Sequence, residues 1–278
     1  RNFSYFVFED NSDNYLVLFD SSDGSGLQPY DDSLNHNVLR NLMEEYNIKD
    51  YIIFKMQFSY DGFSSYYPLK SKTHPLGYFP DSPSITYNFK KQSRYRYAVQ
   101  SKDIDFFWVG TIDYGAPPPL WPEDQDIDQW PMGQRQEGYK RFKEIADKHS
   151  EWNIITSDKP EFTRQEYLDK TMRSKVCLEL PGVGYFTTRF FENLILEKCM
   201  ISKKLPLDLP YNLIPDVHYF AIDSWDKLED KMQWIMDNPT EIDNIISNVK
   251  DLQDYLTHDY AFHNMTELIN NMVLSHNL

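Results

Sequence analysis

One short segment combines glycines, hydroxyls, a guanidinium and a carboxylate. It covers residues 181–192 and reads Pro-Gly-Val-Gly-Tyr-Phe-Thr-Thr-Arg-Phe-Phe-Glu. An apolar, strand-like run ends just before it at Leu180, and a helix is predicted after it. Ligands of parallel α/β sheets bind at the carboxyl ends of strands, and a helix N-terminus attracts phosphate. The segment therefore predicts a phosphate site, with Gly182 and Gly184 in its turn.

The predicted helix has a polar side and an apolar side. Thr187 or Thr188 is the expected N-cap. Arg189 and Glu192 are three residues apart and share one side, where Arg189 suits a diphosphate and Glu192 suits ribose hydroxyls. The other side consists of Phe190, Phe191, Leu194 and Ile195. The alternative is an ordinary surface ion pair between Arg189 and Glu192.

The first third of the chain predicts strands and one helix. Residues 4–8 and 15–19 are short apolar runs, and 51–54 reads as a buried strand. Between them, Ser33 is placed to cap a helix. Its apolar positions recur every four residues, at Leu34, Val38, Leu42 and Tyr46. This β-α-β pattern calls for a parallel pair of strands.

The rest of the chain alternates strands and helices, which predicts a doubly wound sheet. Strands are expected at 106–110, 152–155, 176–180, 199–201 and 218–222. Helices are expected at 135–149, from the Thr163 and Glu166 capping box onward, and at 188–198, 226–236 and 241–256. The Pro- and Trp-rich stretch 116–131 reads as a loop or a lid. We therefore predict two α/β domains, one at 1–102 and one at 103–278.

Charge and motifs exclude several classes of function. The net charge of −15 leaves no basic stripe for nucleic acid. No run of 18 apolar residues would span a membrane. Phosphate-loop and dinucleotide-binding glycine motifs do not occur. Asp-x-Asp pairs at 103–105, 124–126 and 126–128 do not close a strand, as a metal-dependent transferase requires, so we expect neither a metal nor a cofactor.

At 176–205 the sequence resembles the nucleotide-binding half of exostosin-like glycosyltransferases. The matching pattern is a strand, Pro-Gly, Thr-x-Arg-Phe-Phe-Glu, and then Lys-Cys-Met-Ile before Leu-Pro. In place of the family's usual Ala-Gly, this chain has Glu197-Lys198. The resemblance implies a GT-B-like fold, with two Rossmann-like domains facing across a cleft. It makes 1–102 the acceptor-binding domain and 103–278 the nucleotide-sugar-binding domain, with the last helix packing back on the first domain. It also implies inverting transfer of a sugar, without a bound metal, from a UDP-sugar to a hydroxyl of a glycan acceptor.

The resemblance extends to other segments. The strand ending in Gly110 and Thr111, followed at a distance by Arg135, is similar to the family's Phe-x-Gly…Arg segment. Ser157 and Asp158 follow a strand where GT-B enzymes often hold the base of the nucleotide, so we place them in the donor site. Residues 19–23, 54–57 and 75–78 resemble the xylosyltransferase-like branch, which makes xylose the expected sugar. A stand-alone chain of this length also resembles glycosyltransferases of large algal viruses, which decorate their own capsid glycans.

Inverting chemistry requires a general base to accept the proton of the acceptor hydroxyl. The candidates in the N-terminal domain are Asp20, Asp23, Asp61 and His74, all in or near segments that follow strands. Of these we favour Asp61 and Asp20. Each also fits the ordinary role of a turn former or helix cap.

Two other functions fit the sequence. A glycoside hydrolase would use paired carboxylates but has no role for Arg189 at a phosphate. A catalytically silent nucleotide-sugar or glycan-binding protein would need the same binding site. Cys177 and Cys199 read as buried thiols in a reducing compartment, which favours the cytoplasm. A Golgi lumen is the alternative if an N-terminal anchor has been removed.

Overall fold

The computed structural model describes residues 3–20, 36–55, 72–76, 101–112, 131–182, 187–205 and 209–276. They divide between two compact units. The first unit comprises residues 1–78, 206–212 and 257–278, and the second comprises 79–205 and 213–256. The predicted α/β class is confirmed. The predicted domain boundary at residue 102 follows a stretch, 77–100, that lies outside the described residues, and it stays a prediction.

The first unit is built on a sheet in the order β1-β2-β3-β4. Its strands are β1 (Phe3–Asp10), β2 (Asp13–Asp20), β3 (Ile48–Lys55) and β4 (Thr73–Pro75). β1 and β2 form an antiparallel hairpin, whereas β2, β3 and β4 are parallel neighbours. At the tip of the hairpin, Asn11 and Ser12 have φ values of 50° and 71°. Positive φ at both positions is typical of a type I′ turn, one of the two usual two-residue hairpin turns.

Helices cover both faces of this sheet. The connection from β2 to β3 contains helix α1 (His36–Glu45), whose Leu39 and Leu42 pack against Leu16, Leu18 and Ile53. The predicted β-α-β unit with parallel strands is therefore confirmed. The other face, formed by Tyr15, Val17, Ile52 and Phe54, packs against Met272 of the C-terminal helix (His258–Leu274). With apolar side chains on both faces, β2 is a buried central strand.

The second unit is built on a fully parallel sheet in the order β6-β5-β7-β8-β9. Its strands are β5 (Ile104–Val109), β6 (Ile154–Ser157), β7 (Ser174–Leu178), β8 (Cys199–Lys203) and β9 (Phe220–Ile222). The helices between and after them are α2 (Pro131–Lys148), α3 (Arg164–Arg173), α4 (Thr188–Ile195), α5 (Leu228–Asp237) and α6 (Thr240–Asp251). The C-terminal helix is then α7. Strand-helix alternation places helices on both faces, as predicted.

Two strands of the second unit begin later than the sequence predicts. Trp152 belongs to the turn after α2, where its ring stacks on His149 with centroids 4.0 Å apart, so β6 begins only at Ile154. His218 accepts a hydrogen bond at Nδ1 from the backbone N–H of Ile214 at 2.9 Å. That bond holds a turn where a strand was predicted, and β9 begins at Phe220.

The predicted helices are present with shifted ends. The capping box is confirmed, because Thr163 and Glu166 exchange side-chain and backbone hydrogen bonds at the start of α3. The helix predicted at 226–236 starts as a 3₁₀ turn, Trp225–Lys227, before α5. The helix predicted at 241–256 ends at Asp251.

Candidate functional site

The order of strands in the second sheet reverses beside β5. β6 lies on one side of β5, while β7, β8 and β9 follow in chain order on the other. In open α/β sheets, ligands bind at such a reversal, outside the carboxyl ends of the strands. We therefore expect a ligand site of this unit among the residues that follow β5, β6 and β7.

Gly110 directly follows β5, and its backbone N–H donates to the carbonyl of Ser157 at 3.1 Å. This bond joins the carboxyl ends of β5 and β6, continuing the pairing of Val109 with Ser157. Every residue of β5 is buried. Gly110 thus lies directly at the carboxyl end of a fully buried strand.

Helix α4 begins close to the end of β7 and has the two sides that the sequence predicts. Thr187 caps it by accepting a hydrogen bond from the backbone N–H of Phe190 at 3.1 Å. The apolar side, Phe190, Phe191, Leu194 and Ile195, is buried, which confirms that part of the prediction. Arg189 and Glu192 lie on the other side.

The guanidinium of Arg189 lies against the backbone of Gly110 and near two aromatic rings. Its Cζ is 5.2 Å from the ring centroid of Trp108 and 5.6 Å from that of Tyr167. A Cβ atom on Gly110 would lie only 2.7 Å from Nη2 of Arg189. Aromatic faces attract a cation and hold its plane. Burial acts to lower the pKa of Arg189, but Tyr167, Glu179 and Glu192 together raise it above its ordinary value, so the group stays charged.

Glu192 is half-buried and pairs with a residue that the sequence analysis missed. Its carboxylate accepts from Nη1 of Arg164 at 3.1 Å and also from Nη2. These hydrogen bonds join Glu192 to Arg164, whereas the alternative that the sequence left open was a surface pair of Glu192 with Arg189. A signal for Arg164 existed in the sequence, since it follows the Thr163 cap and so begins the helix after β6.

These side chains line a cavity of about 490 Å³ in the second unit. Its described lining consists of Val109, Gly110, Thr111, Pro160, Phe162, Arg164, Tyr167, Thr188, Arg189 and Glu192. The cavity thus has two arginines, three hydroxyl groups and two aromatic rings. Glu192 is the one acid among these lining residues, whereas cleavage of a glycosidic bond by a hydrolase uses two carboxylates.

Behind the cavity lies a second residue that the sequence analysis missed, Glu179. Its side chain is 2% exposed. Oε1 accepts the hydroxyl hydrogen of Thr187, and Oε2 has no hydrogen-bond partner among the described residues. Burial raises the pKa of Glu179 to about 7, although Arg189, Thr187 and Arg135 each act to lower it. The position of Glu179 after a predicted strand does not by itself indicate that its side chain is buried.

The described residues that line the cavity do not include four other predicted donor-site residues, Arg135, Ser157, Asp158 and Gly182. Arg135 is buried on α2, with Cζ 5.4 Å from the ring centroid of Trp108. Ser157 is buried and exchanges hydrogen bonds with the backbone of Lys159, while Asp158 is exposed. Gly182 is buried. Gly184 lies outside the described residues. Their roles stay predictions.

The candidate bases belong to the first unit. Asp20 is buried at the end of β2, where Oδ2 accepts from Nζ of Lys55 at 2.8 Å. Such a buried ion pair suits a structural role in the sheet. His74 is in β4, and burial lowers its pKa. Asp23 and Asp61 lie outside the described residues, so the choice of base stays a prediction.

The described residues contain neither a metal-binding cluster nor a membrane-spanning helix. In the part of the chain that the structure describes, no group of three or more His, Cys, Asp and Glu side chains is arranged to hold a metal ion. In the same part, no helix has both the length and the apolar composition needed to cross a membrane.

Comparison with known proteins gives distant likenesses of fold. No protein-family model matches the chain, and no curated protein matches it at a significant level. Among solved structures, sucrose-phosphate synthase from Thermosynechococcus elongatus aligns with 87% of this chain and 58% of its own, at 11% identity and a TM-score of 0.40. Anabaena HepE, in complex with UDP and glucose, aligns with 85% of this chain and 66% of its own, at 12% identity and a TM-score of 0.44.

The wall teichoic acid polymerase TagF aligns with 88% of this chain and 64% of its own, at 9% identity and a TM-score of 0.35. The chain therefore spans less than two thirds of the length of each of these three proteins. Likeness at this level does not establish a shared activity.

Proposed function

We propose that this protein is a glycosyltransferase that binds a UDP-sugar in the cavity of its second unit. The observation that carries the proposal is the placement of Arg189 at the reversal of the strand order. There the arginine lies against Gly110 and lines a cavity large enough for a small ligand. Arginine is the side chain best suited to a diphosphate, because its fork of N–H groups matches the phosphate oxygens.

Electrostatics support an anionic ligand at this cavity. The chain as a whole has a net charge of −15, which disfavours the binding of anions in general. The cavity is an exception, since two arginines and one glutamate line it among the described residues. In this proposal the diphosphate binds beside Arg189 and the N-terminus of α4, which adds partial positive charge.

Glu192 and Arg164 are the proposed contacts for the nucleoside. A carboxylate accepts hydrogen bonds from ribose hydroxyls, as the sequence analysis expects for Glu192. The ion pair with Arg164 fixes the position of that carboxylate. Tyr167 and Phe162 supply ring surface for the uracil base.

The finer features of the proposal rest on the exostosin-like sequence pattern. They are inverting transfer of xylose to a hydroxyl of a glycan, without a bound metal, and Asp61 or Asp20 as the general base. A nucleotide-sugar-binding protein without activity would contain the same cavity, and the assay below distinguishes the two functions.

The test is a thermal-shift panel of UDP-, GDP-, ADP- and CMP-sugars, followed by a transfer assay. A ligand that binds only the native state raises the melting temperature. We expect UDP-sugars to raise it most, and we expect EDTA to leave the shift unchanged. A shift that chelation abolishes would contradict metal-free binding. Binding without transfer to any glycan acceptor would favour the silent binding protein.

A further inference from the structure

Glu179 is a buried acid that contacts Thr187, the N-cap of α4, although it does not line the cavity. It directly follows β7, and its side chain is 2% exposed. A carboxyl group so fully removed from water is costly when ionised, unless hydrogen bonds or cations compensate it. The contacts of the Glu179 carboxyl group therefore determine how easily it ionises.

One carboxylate oxygen is tied to the start of α4. The backbone N–H of Phe190 donates to Oγ1 of Thr187 at 3.1 Å. Because Oγ1 acts as the acceptor in this bond, the hydroxyl hydrogen of Thr187 can be donated to another group. Thr187 donates it to Oε1 of Glu179. The residue two positions further along α4 is Arg189. Glu179 therefore helps to hold the turn of helix that presents Arg189 to the cavity.

The other oxygen, Oε2, is buried and has no hydrogen-bond partner among the described residues. Charged and titratable groups surround the carboxyl group from several elements. They are Arg189 and Glu192 of α4, Arg135 of α2, Tyr167 of α3 and Cys177 of β7. The two arginines favour the carboxylate form, while burial and Glu192 disfavour it.

We propose that Glu179 is a positioning residue of the donor site and takes up a proton when an anionic ligand binds beside Arg189. This inference rests on the proposed function. The bound diphosphate adds negative charge next to the arginine that stabilises ionised Glu179, so like charges come together at the site. Protonation of Glu179 removes that repulsion, and it keeps Oε1 as an acceptor for Thr187.

The sign of the pH dependence follows from linkage. A ligand that prefers the protonated form of Glu179 binds most tightly at low pH, and its affinity falls as pH rises through the pKa of Glu179, which is about 7. The slope of log affinity against pH is at most about −1, because one proton is involved. Affinity then levels off where Glu179 is ionised in both states.

The experiment is calorimetric titration with UDP-glucose and UDP-xylose from about pH 6 to about pH 9, in buffers of different ionisation enthalpy. These ligands are chosen because neither of their phosphates is terminal, so neither gains or loses a proton near neutral pH. The terminal phosphate of UDP itself titrates near neutral pH and would add a proton of its own. For the wild type we expect net uptake of a fraction of a proton at about pH 7.5, and roughly fivefold to tenfold weaker binding at high pH than at low pH.

Glu179→Gln is the decisive variant, because glutamine keeps an oxygen for the Thr187 hydroxyl and cannot ionise. We expect no proton uptake and a pH-independent affinity equal to that of the wild type at low pH. Above about pH 8 the variant should therefore bind more tightly than the wild type. A purely structural role would weaken binding at every pH. His149→Gln is the control, because it removes another titratable group from the same unit, away from the lining residues, and should keep the wild-type slope.

Two results overturn the inference while leaving the proposed function intact. One is a wild-type protein that binds the UDP-sugars with no pH dependence. The other is a Glu179→Gln variant that keeps the wild-type slope, which would point to another group such as buried Lys198, whose pKa burial lowers to about 7. If neither UDP-sugar binds at any pH, the proposed function fails and the inference with it.

A second pair of variants covers the case in which Glu179→Gln does not fold. Thr187→Val removes the hydroxyl that stabilises the carboxylate, so the midpoint of the pH profile should move upward. Thr187→Ser keeps the hydroxyl and should keep the midpoint. Equal midpoints in the valine and serine variants would overturn the role of Glu179.

Discussion

The guanidinium of Arg189 lies so close to Gly110 that a Cβ atom at residue 110 would be 2.7 Å from Nη2. Contacts shorter than about 3 Å between such atoms are strongly repulsive, so any side chain larger than hydrogen must displace the arginine. The absence of a side chain at Gly110 is therefore what allows Arg189 to lie at the end of β5.

Gly110→Ala should weaken UDP binding more than it affects stability. The added methyl group meets the far end of a flexible side chain, which can move at little cost to the fold. We expect about a 10-fold loss of affinity for UDP, since Arg189 is then misplaced. Calorimetric titration measures the affinity, and thermal unfolding measures the stability.

Gly138→Ala is the matched comparison for that variant. Its added Cβ would lie 2.6 Å from Cδ2 of Leu180 and 2.8 Å from Cε2 of Trp225, both in the packed interior. Overpacking of this kind typically costs about 1–3 kcal/mol of stability. If the two variants lose stability to the same extent, Gly110 has no special relation to the site.

Removal of Arg189 or Glu192 should weaken donor binding with the fold intact. Arg189→Ala and Glu192→Ala each remove a charged partner from the cavity, and loss of a charge-assisted hydrogen bond typically costs about 1.5–3 kcal/mol, or roughly 10- to 150-fold in affinity. Arg141→Ala is the control, because this residue forms exposed ion pairs on α2 with Glu137 and Glu144. Normal UDP binding by Arg189→Ala would mean that the donor site lies elsewhere.

The two favoured bases should respond differently to substitution by asparagine. Asp61→Asn should leave UDP affinity nearly unchanged and reduce transfer by at least about 10²-fold, as expected for a lost general base. Asp20→Asn removes the negative charge from the buried ion pair with Lys55, and breaking a buried ion pair typically costs about 3–5 kcal/mol of stability. Unfolding and transfer are measured on both variants. Wild-type transfer rates in both would make His74 the next candidate.

The stability of the protein should depend on pH through Glu179. Its pKa in the folded state, about 7, is raised above the ordinary value of 4.5. The folded state therefore binds this proton more tightly than the unfolded state, and the contribution to stability is full below about pH 4.5 and is lost as pH rises toward 7. At about 1.4 kcal/mol per pKa unit, the total loss is on the order of 3 kcal/mol.

Glu179→Gln should remove this pH dependence. Chemical denaturation should show equal stabilities for the variant and the wild type at low pH, and a more stable variant at about pH 8. The difference between the two proteins isolates Glu179 from the other carboxyl groups, which titrate in both. If the variant is less stable than the wild type at about pH 8, then ionised Glu179 does not destabilise the folded state and this prediction is wrong.

Much of this fold follows from local patterns in the sequence. The buried side of α4, with Phe190 and Leu194, is visible in helical spacing alone, and the capping box at Thr163 marks the start of α3. Continuous apolar runs predict the central strands β2 and β5. These features depend on residues close together in the chain, whose side-chain directions are set by helix or strand geometry.

The partners of the site residues were decided only by the tertiary structure. Gly110 meets Arg189 because β5 and β7 are neighbours, and Glu192 pairs with Arg164 because α3 and α4 both begin at the carboxyl edge of the sheet. Glu179 looks like an ordinary strand-end acid in the sequence. Its side chain is 2% exposed in the folded protein, and that burial raises its pKa. Periodicity specifies which face of an element is apolar, but the order of strands specifies which faces meet, and that order depends on long-range packing.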